Sequence, residues 1–207
     1  LVVKGNEVIE GDAQETEDTP PYAQAVIWHD AEVLWADFSP DDKLIASSAM
    51  DGSVKISDAE TGALVHDLSG HTQRVNSVRW SPDGSKLVSA SDDNLAIIWD
   101  VATGKALFTL KQHTSWVNYA EFSPDGTAVI TASDDGSIAL WDANTGQSLG
   151  VVQSFDYGAW HAAFSPDGKR LVVAGKDGGV LYDLDTGNEV ARLPHDYEAR
   201  YAEFSPD

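Results

Sequence analysis

Three residue types that could do chemistry recur together along this chain: histidine, a hydroxyl residue and aspartate. His71, Ser89 and Asp93 form one group, and His113, Thr131 and Asp135 form a second at the same spacing. Imidazole, hydroxyl and carboxylate are the parts of a nucleophilic hydrolase, in which the imidazole takes the hydroxyl proton and the carboxylate orients the ring. An enzyme builds such a centre once, whereas this group is copied, and copying points to structure. Other chemistries lack their residues. There is no cysteine, so disulfides, thiolate catalysis and cysteine-ligated metal are excluded. The six histidines form no metalloenzyme motif. The pairs Asp92-Asp93 and Asp134-Asp135 belong to no full calcium loop. No glycine pattern cradles a phosphate or dinucleotide. The cofactor and metal expectation is none, and Trp28, Trp35 and Trp80 read as packing residues rather than a ligand cage.

The elements that carry these groups repeat as well. Ser-Pro-Asp occurs at Ser39–Asp41, Ser81–Asp83, Ser123–Asp125, Ser165–Asp167 and Ser205–Asp207. The first three intervals are 42 residues and the last is 40. Each copy follows an aromatic residue: Phe38, Trp80, Phe122, Phe164 or Phe204. One period reads as four short strands. In the third full copy these are 117–122, 128–132, 137–141 and 148–152, separated by Ser123-Pro124-Asp125-Gly126, Asp134-Asp135-Gly136 and Asn144-Thr145-Gly146. Aspartate caps its own turn and glycine accepts positive φ, so these are turn signals at the spacing of an all-β protein. Four-stranded units cannot cover their own apolar faces and must stack as the blades of a β-propeller.

The segmentation is 1–30 as an incomplete, irregular blade, then full blades at 31–70, 71–112, 113–154 and 155–194. Residues 195–207 supply a first strand. Leu1-Val2-Val3 aligns with Leu171-Val172-Val173, a second strand, so the two ends are expected to complete one shared fifth blade. Residues 7–21 read as an acidic loop with a displaced strand. The same ends also suit a segment cut from a larger propeller, as does a chain that starts at Leu1 and stops inside a motif.

The formal charge is −21, from 34 acidic and 13 basic residues. Nucleic acid and anionic membranes are therefore not expected partners, because phosphate binding needs lysine and arginine to displace counterions. No apolar run is long enough to cross a bilayer and no signal peptide is evident. The compartment stays open, with the cytoplasm slightly favoured.

These features resemble the WD40 repeat family over nearly the whole chain. The second and third full copies carry it best, through His71, Ser89, Asp93 and Trp99-Asp100, then His113, Thr131, Asp135 and Trp141-Asp142. The resemblance implies a buried network from tryptophan N–H to hydroxyl, hydroxyl to histidine, and histidine to aspartate, satisfying groups that would otherwise be orphaned. The first full copy has His29, Ser47 and Asp51 but Ser57 in place of tryptophan. The fourth has Phe155 and Val173 in place of histidine and hydroxyl, with Asp177 and Tyr182 retained. The split copy keeps His195 but has Val3 at the hydroxyl position.

The resemblance also implies that one face serves recognition. Its positions fall on Glu32, Leu34 and Met50; Arg74, Asn76 and Asp92; Trp116, Asn118 and Asp134; Gly158, Trp160 and Lys176; and Glu198 and Arg200. Trp116 and Trp160 stand out, because indoles beside Arg74 and Lys176 have hot-spot composition. The expected function is a non-enzymatic scaffold or sensor module binding a protein or peptide, with a basic segment favoured by the charge. One alternative is a structural or self-assembling repeat protein, oligomeric if the ring is incomplete. The other is a propeller enzyme or carbohydrate-binding module with a site at the channel mouth.

Overall fold

The computed structural model describes residues 2–5, 26–154, 158–176, 178–195 and 197–206. Residues 7–21, Phe155 and Asp177, on which the sequence reading also bears, lie outside the described residues.

Four antiparallel four-stranded sheets follow one another along the chain. Sheet 1 contains β3 (Val33–Phe38), β4 (Leu44–Ala49), β5 (Val54–Asp58) and β6 (Leu64–Leu68). Sheet 2 contains β7 (Val75–Trp80), β8 (Lys86–Ser91), β9 (Ala96–Asp100) and β10 (Lys105–Leu110). Sheet 3 contains β11 (Val117–Phe122), β12 (Ala128–Ser133), β13 (Ser137–Asp142) and β14 (Ser148–Ser154). Sheet 4 contains β15 (Ala159–Phe164), β16 (Arg170–Gly175), β17 (Gly178–Asp183) and β18 (Glu189–Leu193). The strands of sheet 3 fall within a residue or two of the expected bounds.

Local chemistry explains that agreement. At the end of β11, Ser123 Oγ donates to Asp125 Oδ1 at 2.6 Å and accepts from Ala128 N at 3.0 Å. Pro124 presets the turn, and Gly126 takes φ 72°, donating to Ser123 O at 2.8 Å. A hydroxyl, a proline, a carboxylate and a glycine thus meet the four demands of one turn. The turn before β14 is closed by Asp142, whose Oδ1 accepts from Asn144 N and Thr145 N at 2.9 and 2.8 Å. A Cβ on Gly146 would lie 2.5 Å from Phe108 Cβ of sheet 2, so only glycine permits that approach.

The sheets stack through their first strands: β3 lies against β7, β7 against β11, and β11 against β15. Each apolar core accordingly sits between two sheets. Ile98 and Leu110 of sheet 2 pack with Val117, Phe122 and Trp141 of sheet 3. Tyr119 and Ile130 of sheet 3 pack with Leu171 and Val180 of sheet 4. The outer faces differ. Phe38 is 52% exposed, whereas Trp80 and Phe122 at the same register are 8% and 6% exposed. Leu193 is likewise exposed where Leu68 and Leu110 are buried.

The two ends do not pair with each other among the described residues. β1 (Val2–Gly5) runs parallel to β2 (Val26–His29), with Val3 opposite Ile27. The first strand expected over 195–207 is absent across its described residues. Residues 197–206 lie beside sheet 4 instead, where Ala199 N donates to Gly175 O at 3.0 Å.

Candidate functional site

The two histidine groups close as hydrogen-bond circuits. Trp99 Nε1 donates to Ser89 Oγ at 2.8 Å, and that oxygen lies 2.8 Å from His71 Nε2. His71 Nδ1 is 2.9 Å from Asp93 Oδ2, which also accepts from Thr72 N at 3.0 Å. In sheet 3, Trp141 Nε1 donates to Thr131 Oγ1 at 2.9 Å, and His113 Nε2 is 2.6 Å from the same oxygen. His113 Nδ1 faces Asp135 Oδ2 at 3.2 Å and Ser137 Oγ at 2.9 Å. An ionised carboxylate only accepts, so Nδ1 carries the proton and Nε2 accepts from the hydroxyl. Burial lowers the pKa of both histidines, against the raising effect of their aspartates. Each hydroxyl is held between indole and imidazole within the fold.

Sheet 1 departs from this pattern in the expected place. His29 Nε2 is 2.7 Å from Ser47 Oγ, while Nδ1 is 2.8 Å from Ser53 Oγ. Ser53 Oγ donates to Asp51 Oδ1 at 2.6 Å, relaying the contact that Asp93 makes directly in sheet 2. Ser57, standing in the tryptophan position, is buried with an unpartnered Oγ. In sheet 4, Val173 and Tyr182 are buried in the apolar core.

The candidate recognition residues assemble because backbone bonds join the entry to each first strand with the tight turn of the same sheet. Met50 N donates to Glu32 O at 2.9 Å, Asp92 N to Arg74 O at 3.0 Å, and Asp134 N to Trp116 O at 2.9 Å. Asn76 and Asn118 act as staples between sheets. Asn76 Nδ2 donates to Asp92 Oδ1 at 2.8 Å and to Val117 O of the next sheet at 3.0 Å. Asn118 Nδ2 repeats this with Asp134 Oδ1 at 2.7 Å and Ala159 O at 2.9 Å. Gly158 lies at the same junction, where a Cβ would come within 2.9 Å of Asp134 Oδ1.

The two singled-out tryptophans each carry an arginine from the neighbouring unit. The Arg74 guanidinium stands 5.9 Å from the Trp116 ring centroid, within cation–π range. Arg74 Nε also lies 3.1 Å from Asp92 Oδ2, an ion pair without hydrogen-bond alignment. Arg200 lies 5.7 Å from Trp160 and donates to Glu198 Oε1 through Nη2 at 2.7 Å. Trp116 is 47% and Met50 46% exposed, Trp160 and Leu34 are half-buried, and Lys176 is exposed.

A second cluster lies where the first strands converge, and the sequence reading did not single it out. Trp35 of β3 meets Tyr119 of β11 edge-on at 5.6 Å, Tyr119 meets His161 of β15 at 3.9 Å, and His161 meets Tyr201 at 4.0 Å. Beside this stack, Arg79 of β7 pairs with Asp37 of β3 at 3.4 Å and stands 5.9 Å from Trp35. Glu121 accepts from Phe164 N of sheet 4 at 2.8 Å and from Tyr119 Oη at 3.1 Å. Burial raises the Glu121 pKa to about 7, with Arg79 and the two donors acting the other way. Burial and then Arg79 lower His161 to about 4. His161 is 2% exposed, and neither ring nitrogen makes a well-formed hydrogen bond. A signal for this cluster was present: two positions of the first strand carry Trp35, Ser77, Tyr119, His161 and Tyr201, then Asp37, Arg79, Glu121, Ala163 and Glu203.

Among the described residues, no group of three or more histidine, aspartate or glutamate side chains could hold a metal ion. No described helix is long and apolar enough to cross a membrane. A comparison with curated proteins finds no match. Residues 32–207, most of the chain, match the family described as the IFT122 first β-propeller, and the protein belongs to that β-propeller family.

Proposed function

We propose that this protein is a WD40-type, non-catalytic scaffold module that binds a protein or peptide on the face carrying the tight turns. The observation behind this reading is the pair of arginine-capped indoles, Arg74 on Trp116 and Arg200 on Trp160. Aromatics that are exposed, as Trp116 is, or half-buried, as Trp160 is, and are held in place by a neighbouring cation lose little freedom on binding and bury large area, which is what hot-spot residues do. The acidic charge favours a partner with a basic segment. The non-catalytic reading is supported by the engagement of Ser89 and Thr131, whose oxygens are already bonded to indole and imidazole.

The exposed Phe38 and Leu193 support a ring completed by further blade material, whether a shared fifth blade, additional blades or a second copy. Mass measurement in solution separates the last case from the others.

The test of the binding face is Trp116→Ala. Proteins captured from cell extract by the wild type should be lost or weakened at least about tenfold, with the melting transition retained. Unchanged capture would remove Trp116 from the recognition surface, and an unfolded variant would show a core role instead.

A further inference from the structure

The opposite side of the blades, which carries the Ser-Pro-Asp turns, has a feature that the repeat does not account for. Between blades 3 and 4, numbered as the sheets are, it opens into a groove of about 460 Å³. Pro124, Ala128 and Leu140 line it from one blade, and Phe164, Pro166 and Leu184 from the other.

The cause lies in one residue. Leu44, Lys86, Ala128 and Arg170 hold the same register position, the first residue of each second strand. At the junction of blades 1 and 2, Leu44 packs onto the shared core. At the junction of blades 2 and 3, Lys86 Nζ reaches across to Asn144 Oδ1 at 3.0 Å. At the next junction Ala128 ends at its Cβ and spans nothing. Phe164 is consequently half-buried, while Trp80 and Phe122 are covered.

The rim is charged. Asp125 and Asp167 stand at the groove, and Asp142 and Asp183 stand at the adjoining turns. Hydrogen bonds from neighbouring hydroxyl and backbone N–H groups hold all four carboxyls below their ordinary range, so they stay ionised at neutral pH. The facing cations are Lys86 from blade 2 and Lys169 and Arg170 from blade 4. Lys86 donates to the neutral Asn144 side chain and keeps its charge, so four carboxylates face three cations here, in a molecule that carries −21 as a whole.

We propose that the groove between blades 3 and 4 is a second peptide site, taking one large apolar side chain of an extended segment whose flanking residues are lysine or arginine. The volume admits a side-chain anchor, the apolar residues named above line it beside Ser123, Thr127 and the two aspartates, and the surrounding field favours a basic segment. This site is on the side of the blades away from Trp116, so it stands or falls independently of the recognition face.

Fluorescence anisotropy with a labelled Lys-Lys-Leu-Trp-Lys-Lys peptide tests it on the full chain. The wild type should bind this peptide and should not bind Lys-Lys-Ser-Gly-Lys-Lys. Ala128→Lys copies Lys86 of the neighbouring blade, and Ala128→Leu copies Leu44, so each fills the groove with a residue the repeat already accommodates. Both variants should weaken binding at least about tenfold with the melting transition kept. If Ala128→Lys fails to fold, Ala128→Leu decides. Retained binding by Ala128→Leu overturns the apolar seat, and equal binding of the Ser-Gly peptide reduces the interaction to bulk charge. Loss on Trp116→Ala rather than at Ala128 places the peptide on the other face and also overturns the proposal.

Discussion

The hydrogen-bond circuits of sheets 2 and 3 and the cluster where the first strands converge both bury polar groups, and they do so by opposite means. Each circuit is internal to one blade and is repeated at the same register, with indole, hydroxyl, imidazole and carboxylate meeting one another. The first-strand cluster also uses repeated positions, but each copy fills them differently, with Asp37, Arg79, Glu121 and Ala163 in turn. Its contacts therefore run between blades: Arg79 to Asp37, Glu121 to Phe164 N, Tyr119 to Trp35. Repetition satisfies the circuits completely, whereas divergence leaves His161 without a well-formed hydrogen bond. A repeated position with repeated chemistry holds a blade together, and a repeated position with changing chemistry is where this chain differs from a generic array.

The largest effect expected from that contrast is at Trp99, which is fully buried in blade 2. Trp99→Ala leaves a cavity and strips the Ser89 hydroxyl of its donor, at a cost of about 3–5 kcal/mol. Denaturant unfolding measures this, and a loss below about 1 kcal/mol would break the claim that the circuits anchor their blades.

An intermediate effect separates the two regions by pH. Glu121 titrates near 7 in the folded protein and near 4.3 in an unfolded chain. The folded state therefore binds the extra proton between about pH 4.5 and 7, and the Glu121 contribution to stability falls as pH rises through that window. His71 and His113 have the opposite sign. Burial lowers their pKa, so the unfolded chain takes up protons that the folded one refuses, and stability falls as pH drops below about 6.5. Glu121→Gln should gain stability relative to wild type at pH 8 and lose that advantage by pH 5. Melting temperatures across this range decide it, and a pH-independent difference would detach Glu121 from the titration.

The smallest effect is expected at Ser57, whose buried hydroxyl has no partner. Ser57→Ala should change stability by no more than about 0.5 kcal/mol. Ser89→Ala removes a hydroxyl bonded to both Trp99 and His71 and should cost about 1–3 kcal/mol. Paired thermal melts would sharpen the distinction between a complete circuit and an interrupted one. Equal losses would erase it.

Much of the blade was legible because its determinants are close in the chain. Ser123, Pro124, Asp125 and Gly126 form their turn within a few residues, so β11 and β12 could be placed from residue types alone. The circuits were legible through the family resemblance that their repeated residues carry. The ends were not. Leu1-Val2-Val3 carries a strand pattern, but pattern does not name a partner, and the described partner of β1 is β2, in parallel register. Trp28, which reads as a packing residue, is 46% exposed.

Residue type and period by themselves determined the turns and the four-strand units, since these depend on hydrogen bonding within a few residues and on a spacing that can be counted; the membership of each circuit followed from the family resemblance, its partners standing 10 to 22 residues apart. Only the tertiary structure decided that Trp35 would touch Tyr119 two blades away, that Glu121 would hold Phe164 N, and that Ala128 would leave open what Lys86 covers next door. The physical reason is that these contacts arise from how sheets stack. The repeat places Trp35 and Tyr119 at the same position of their copies, but which copies touch, and through which groups, is set by the stacking alone.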